Sequence, residues 1–271
     1  MTDRTKSIGV FDSGIGGLTV VHELMKKLPF ENIIYFGDTA RVPYGTKSAD
    51  VVRQYAIEDA KLLVDRGVKL IVVACNTVSA VALDDIARKY KIPVIGVIIP
   101  GAHAASARTK TKRIGVIGTR GTISAGAYTK ELHNIDASYV VVSQACPLFV
   151  PLAEEGWTEH RVSFMIAEEY LSAIRQKNID TLILGCTHYP LLKQVIQKAI
   201  GEDVFLIDSA ESVAREVDEL LDQHDWKNKS NHRPNYEFIV SDIPQKFQEL
   251  AERFLGMPIG KVMRVDAALH K

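Results

Sequence analysis

Short, unbroken apolar runs recur along this chain. Each ends in a polar or glycine-rich exit, and most lead into apolar residues at helical spacing. The runs predict strands over 8–11, 32–36, 70–74, 93–99, 113–119, 139–143, 181–184, 204–208, 236–241 and 262–265. Between them, apolar positions three and four apart predict helices over 18–28, 48–66, 78–90, 124–134, 159–177, 210–224 and 244–255. In the first of these, Leu18, Val21, Leu24, Met25 and Leu28 share a face before Pro29. Pro100-Gly101 is expected to break the fourth strand, and 146–151 and 225–234 are expected to be loops. Strands that are apolar throughout are covered on both faces. The alternation therefore predicts an α/β fold with mostly parallel sheets flanked by helices.

The pattern restarts midway. Arg113-Ile-Gly-Val-Ile-Gly-Thr119 resembles Ser7-Ile-Gly-Val-Phe-Asp-Ser13, and the order strand, helix, strand, helix, strand follows both. Ile8 lies 67 positions before Cys75, and Ile114 lies 72 before Cys186. Similar order at similar spacing suggests two domains of related fold.

In open α/β sheets, ligands sit beyond the carboxyl ends of the strands. Those exits carry Asp12-Ser13, Asp38, Cys75-Asn76-Thr77, Cys186-Thr187-His188 and Asp208-Ser209. Taken alone, a buried cysteine is a small hydrophobe, and Cys146, in no repeated motif, reads as one. Cys75 and Cys186 differ because they leave corresponding strands of the two repeats. Two thiols facing each other across a cleft suit one task well. One removes a proton from carbon and the other returns a proton to the opposite face, inverting a stereocentre without a cofactor. A free thiol is mostly protonated at neutral pH, so neighbours must tune it. His188 would reach Cys186 if the chain stayed extended, since side chains two apart then share a face. Thr77 and Thr187 are candidate helix N-caps whose backbone amides could hold a carboxylate. Asp12 suits an ammonium group or the support of a base, or else a turn. Glu154 or Glu155, on an expected loop, could enter the site or face solvent. The Gly14-Ile-Gly-Gly17 turn lacks dinucleotide-binding spacing, although Asp38 stands near where a ribose-binding acid would.

Composition narrows the classes. Charge is balanced, 33 basic residues against 33 acidic, without the basic excess usual in nucleic-acid binders. The basic run 108–113 has no interleaved aromatics and reads as a solvated loop. No apolar stretch approaches membrane-spanning length and the polar start is unlike a signal peptide, so a cytoplasmic protein is expected. Three cysteines without Cys-x-x-Cys are expected to be free thiols, with no metal site.

Together, 8–18, Gly37-Asp-Thr39, Val42-Pro-Tyr-Gly45, Ala74-Cys-Asn-Thr77, the 147–156 segment and Leu184-Gly-Cys-Thr-His-Tyr-Pro190 resemble the glutamate racemase family. That resemblance implies cofactor-independent interconversion of L- and D-glutamate, feeding peptidoglycan synthesis. It implies Cys75 and Cys186 as the acid/base pair, Asp12 supporting the first and His188 the second, with Glu154 nearby. Asp12, Ser13, Tyr44, Gly45, Asn76, Thr77, Thr187 and His188 would contact substrate. It further implies two domains, 1–98 with 208–271 and 99–207, an interdomain active site, and often a homodimer. An aspartate or hydantoin racemase, a two-lobed binding protein with structural cysteines and a nucleotide-binding enzyme are the alternatives. His188 favours glutamate, because aspartate enzymes resemble a Cys-Thr-Glu pattern.

Overall fold

The computed structural model describes residues 3–230 and 233–266. In chain order the first half holds β1 Ile8–Asp12, α1 Leu18–Lys27, β2 Ile33–Gly37, α2 Ala49–Asp65, β3 Leu70–Val73, α3 Asn76–Val81, α4 Leu83–Lys89, β4 Val94–Gly96 and α5 Ile98–Arg108. The second runs through β5 Arg113–Gly118, α6 Arg120–Ala125, α7 Ala127–Ile135, β6 Val140–Ala145, α8 Phe149–Glu154, α9 Arg161–Arg175, β7 Thr181–Gly185, α10 Lys193–Ile200 and β8 Phe205–Asp208. The chain then adds α11 Ser209–Gln223, β9 Tyr236–Val240, α12 Pro244–Leu255 and β10 Met263–Arg264. The expected loop over 225–234 includes residues 231–232, which lie outside the described residues.

The strands form two sheets, one ordered β10-β9-β2-β1-β3-β4 and the other β6-β5-β7-β8. Every pairing in both is parallel. The order β2-β1-β3-β4 in one sheet is matched by β6-β5-β7-β8 in the other. The restart of the sequence pattern is therefore a repeat of topology, with β3 and β7 in equivalent places. Their residues are all buried, as strands sandwiched between helices must be. The last strands return to the first sheet, β9 pairing with β2. One apolar cluster spans both sheets through α1, α5 and α11, joining Leu18 and Ala102 to Ile183 and Val213.

Four expectations need correction. The 93–99 run is a strand only to Gly96, and Ile98 onward is helix α5. The segment expected to be a loop at 146–151 contains the start of α8, which carries Glu154. Both misreadings share a cause. Pro100 and Pro151 are the third residues of their helices, where a backbone N–H has no intrahelical acceptor, so proline costs nothing there. The 78–90 helix divides at Ala82, whose φ of −133° leaves the helical region. The 124–134 helix divides at Gly126, whose φ of +64° suits glycine.

Candidate active site

The exits of β1, β3, β5 and β7 converge on a cavity of about 50 Å³. Cys75 and Cys186 both line it, and both are nearly buried, at 5% and 6% exposure. Ser13, Tyr44, Gly45, Asn76, Thr77, Glu154, Thr187 and His188 line it too. Among the described residues, no Lys or Arg lines it. Anionic groups on a ligand would therefore find their hydrogen-bond donors among hydroxyls, amides and one imidazole, with the Glu154 carboxylate and the two thiols also on the wall.

Cys75 stands where β3 ends and α3 begins, as the residue capping that helix. Its Sγ lies 3.6 Å from Ser13 Oγ. Burial, reinforced by the negative charge of Asp12, pushes the thiol up to about 12, against the opposing pull of the Val78 amide and Ser13. Cys75 is thus a protonated thiol at neutral pH. Asp12 itself lies behind the cavity wall, fully buried at the end of β1. One carboxylate oxygen accepts from the Gly14 amide at 3.0 Å, while Oδ1 has no partner among the described residues. Burial raises its pKa, and the charge of His188 opposes the rise. A charged Asp12 works against a Cys75 thiolate, so any support from Asp12 is not direct electrostatic activation of that thiol.

At the other exit the chain does not stay extended after Gly185. It turns, and His188 has helical backbone angles, φ −82° and ψ −25°. The turn itself brings His188 Nδ1 to 3.9 Å from Cys186 Sγ and 3.5 Å from Thr187 Oγ1. The other ring nitrogen meets Glu154 Oε1 at 3.0 Å. Burial acts to lower the His188 pKa, but the hydrogen bonds and charges of Cys186 and Glu154 outweigh it and raise it to about 10. His188 is an imidazolium at neutral pH, and it sets a positive charge beside Cys186.

Neither threonine is an N-cap. Thr77 lies within the first turn of α3, and Thr187 precedes the capping residue of a short 3-10 turn, Tyr189–Leu192. The Thr77 hydroxyl instead meets those of Thr119 at 3.0 Å and Thr122 at 3.2 Å, tying α3 to α6. Tyr44 faces the cavity, but its hydroxyl donates to Asp38 and, at 3.0 Å, to Asp59. Asp38 also accepts from Arg41 and Ser241. Its oxygens are committed within the protein, which removes the main support for ribose binding. Cys146 is fully buried beside Phe149 and Tyr189 and does not line the cavity.

Sequence reasoning missed Thr119 and Val150, which also line the cavity. A signal for Thr119 was present, since it occupies the place of Ser13 in the repeated motif. Val150 gave none, lying on a helix expected to be a loop.

Comparison with known proteins settles the family. The model of the Asp/Glu/Hydantoin racemase family matches residues 18–217. The chain belongs to that family. The match runs from α1 into α11 and takes in both cysteine exits. The racemase family members most like this chain include the glutamate racemase of Geobacter metallireducens, 53% identical over 266 residues, with 98% of each chain covered. That of Chlorobaculum parvum is 52% identical over 256 residues, with 94% of each covered. Among solved structures, the Bacillus anthracis glutamate racemase isoform RacE1 superposes with a TM-score of 0.94 at 42% identity, covering 97% of this chain and 98% of that one. The Francisella tularensis enzyme in complex with D-glutamate gives 0.92 at 43% identity, with the same coverage. The two parallel sheets flanked by helices are common to this chain and both of these solved structures. Among the described residues, no helix is long and apolar enough to cross a membrane.

Proposed function

We propose that this racemase interconverts L- and D-glutamate by a two-base mechanism, with Cys75 and Cys186 on opposite faces of the substrate. The observation that carries the reading is the entry of both thiols into one cavity from equivalent strand exits, β3 and β7. Relatives near 50% identity over almost the whole chain are glutamate racemases, which supports glutamate as the substrate.

A thiolate on one face takes the Cα proton. The electron pair of the broken C–H bond remains on Cα and spreads into the α-carboxylate. The thiol on the other face then donates its proton to Cα, so the configuration inverts and the two sulfurs exchange protonation states. In the substrate-free protein burial keeps the proton on Cys75, and the imidazolium of His188 lies beside Cys186. In one direction Cys186 is the base and Cys75 the acid. The reverse direction starts from the opposite arrangement. A carbon acid is far weaker than a thiol, so most of the barrier falls to groups already aimed at the developing charge on the carboxylate. Asn76, Thr77 and Thr187 have the right chemistry for that role, and the Ser13 hydroxyl with the backbone amides of Tyr44 and Gly45 for the side-chain carboxylate. Asp12 and His188 hold the charge balance of the two ends, and Glu154 fixes the imidazole.

In this reading the product D-glutamate serves cell-wall peptidoglycan, the enzyme works in the cytoplasm without cofactor, and two copies form a homodimer. The two domains are 1–98 with 208–271 and 99–207. Circular dichroism of L- and D-glutamate incubated with the protein in deuterated water tests the activity. Loss of optical signal from both enantiomers, with deuterium at Cα, is expected. Turnover of aspartate with none of glutamate would overturn the choice of substrate.

A further inference from the structure

Tyr128 is absent from the cavity wall, yet it touches the neighbours of both cysteines. It is 3% exposed, on α7. Its ring packs over Gly185, the residue before Cys186, where an added Cβ would stand 3.1 Å from Cε2. On its other side lies Gly101 of α5, where a Cβ would stand 3.2 Å from Cε1. The two glycines make the slot that admits the ring. From that slot the hydroxyl donates at 2.7 Å to Oδ1 of Asn76, the residue after Cys75.

The far end of the Asn76 amide is unusual. Asn76 is 2% exposed and lines the cavity, and its Nδ2 has no hydrogen-bond partner among the described residues. A buried donor without an acceptor is costly, of the order of a lost hydrogen bond, so it calls for one. An anionic oxygen in the cavity would supply it.

Which end of an amide faces a ligand depends on what holds the other end. Here the Tyr128 hydroxyl donates to Asn76, which therefore presents its acceptor, Oδ1, to the phenol. The donor Nδ2 is left for the cavity.

We propose that Tyr128 is a positioning residue for the racemase site, its hydroxyl locking the Asn76 amide with the donor toward the substrate carboxylate. The contact runs from α7 to α3 with the Tyr128 ring lying over Gly185, so it also ties the orientation of a ligand group near Cys75 to the packing beneath Cys186. The inference rests on the glutamate reading above.

A double-mutant cycle tests it, with Tyr128→Phe, Asn76→Ala and the pair. Phenylalanine keeps the ring and removes only the hydroxyl. Without that lock the amide can turn its oxygen toward the carboxylate. Tyr128→Phe is expected to raise KM for both enantiomers about tenfold with kcat within about twofold, the pattern of lost substrate binding. In the Asn76→Ala background it should add nothing, because Tyr128 acts through that amide. A merely structural role would lower the melting temperature and give penalties that add. Additive penalties, or an unchanged KM in Tyr128→Phe, would overturn the inference while leaving the glutamate reading intact. Wild-type protein inert toward both enantiomers would instead overturn the reading beneath it. If Tyr128→Phe does not fold, Tyr128→Leu, which also removes the hydroxyl and keeps the site apolar, takes its place under the same criterion.

Discussion

His188 Nε2 stands 3.0 Å from Glu154 Oε1, so the imidazole beside Cys186 is held and charged from its far side. The contact joins a turn after β7 to the end of α8, two elements that the sequence separates by 34 positions. It makes Glu154 a control on the second thiol without touching it.

Glu154→Gln removes that charge. The His188 pKa, raised to about 10, falls toward its ordinary 6.5, and the imidazolium is lost at lower pH. A hydrogen bond to a charged group is worth about 1.5–3 kcal/mol and one pH unit is 1.36 kcal/mol. The Glu154 side chain is 41% exposed, which discounts the effect. The alkaline limb of kcat/KM should move down by about one unit. A pH–rate profile of the variant against wild type measures it.

The same proton couples to stability. A histidine whose pKa is higher folded than unfolded stabilises the fold fully below its unfolded value, here 6.5, and loses that contribution as pH rises through about 10. The Cys75 thiol, raised from 9.0 to about 12, adds a loss of the same sign between those values. The melting temperature should therefore fall between pH 7 and pH 10, and fall less in Glu154→Gln. Thermal melts across that range decide it.

Gly16 lies in the turn after β1, against the second cysteine exit. A Cβ there would stand 2.3 Å from Thr187 Oγ1 and 2.5 Å from His188 Nδ1, closer than atoms can approach. Gly16→Ala should displace the imidazole and cost about 10²-fold in kcat, the usual penalty for misplacing a catalytic group by about 1 Å. Steady-state kinetics, with far-ultraviolet circular dichroism to confirm the fold, check this.

The opposite ends of the strands carry stability instead. Lys69 Nζ lies 2.5 Å from Glu31 Oε2, both side chains almost wholly buried, and it also donates to the backbone of Arg4 and Trp226. Lys69→Met strands the Glu31 carboxylate and should cost about 3–5 kcal/mol. Because the cavity lies at the other end of the sheet, kcat of the folded fraction should stay near wild type. Urea denaturation and kinetics on the same sample separate the two effects.

What the sequence disclosed followed from period and position. The unbroken apolar runs marked β1, β3, β5 and β7, and their repeated spacing marked Cys75 and Cys186 as partners. What it concealed lay in tertiary contact. Nothing local says that Pro100 lies in the first turn of a helix rather than ending a strand, or that Pro151 does so rather than lying in a loop, because an apolar run beside a proline suits either. Tyr44 was legible as a residue at the cavity, but not the turning of its hydroxyl toward Asp38 and Asp59. His188 reaches Cys186 through a turn, a contact the extended chain would also have made, so the right pairing rested on the wrong geometry. Tyr128 gave no signal, since its partners Asn76, Gly101 and Gly185 come from three separate parts of the chain.

Removing one thiol at a time tests the central claim most directly. Cys75→Ala and Cys186→Ala each leave one face of the substrate without an acid or base while deleting a single buried sulfur. With L- and D-glutamate followed by circular dichroism, both variants should keep the wild-type fold and show no racemisation in either direction. Wild-type racemisation by either folded variant would contradict a mechanism that needs both sulfurs.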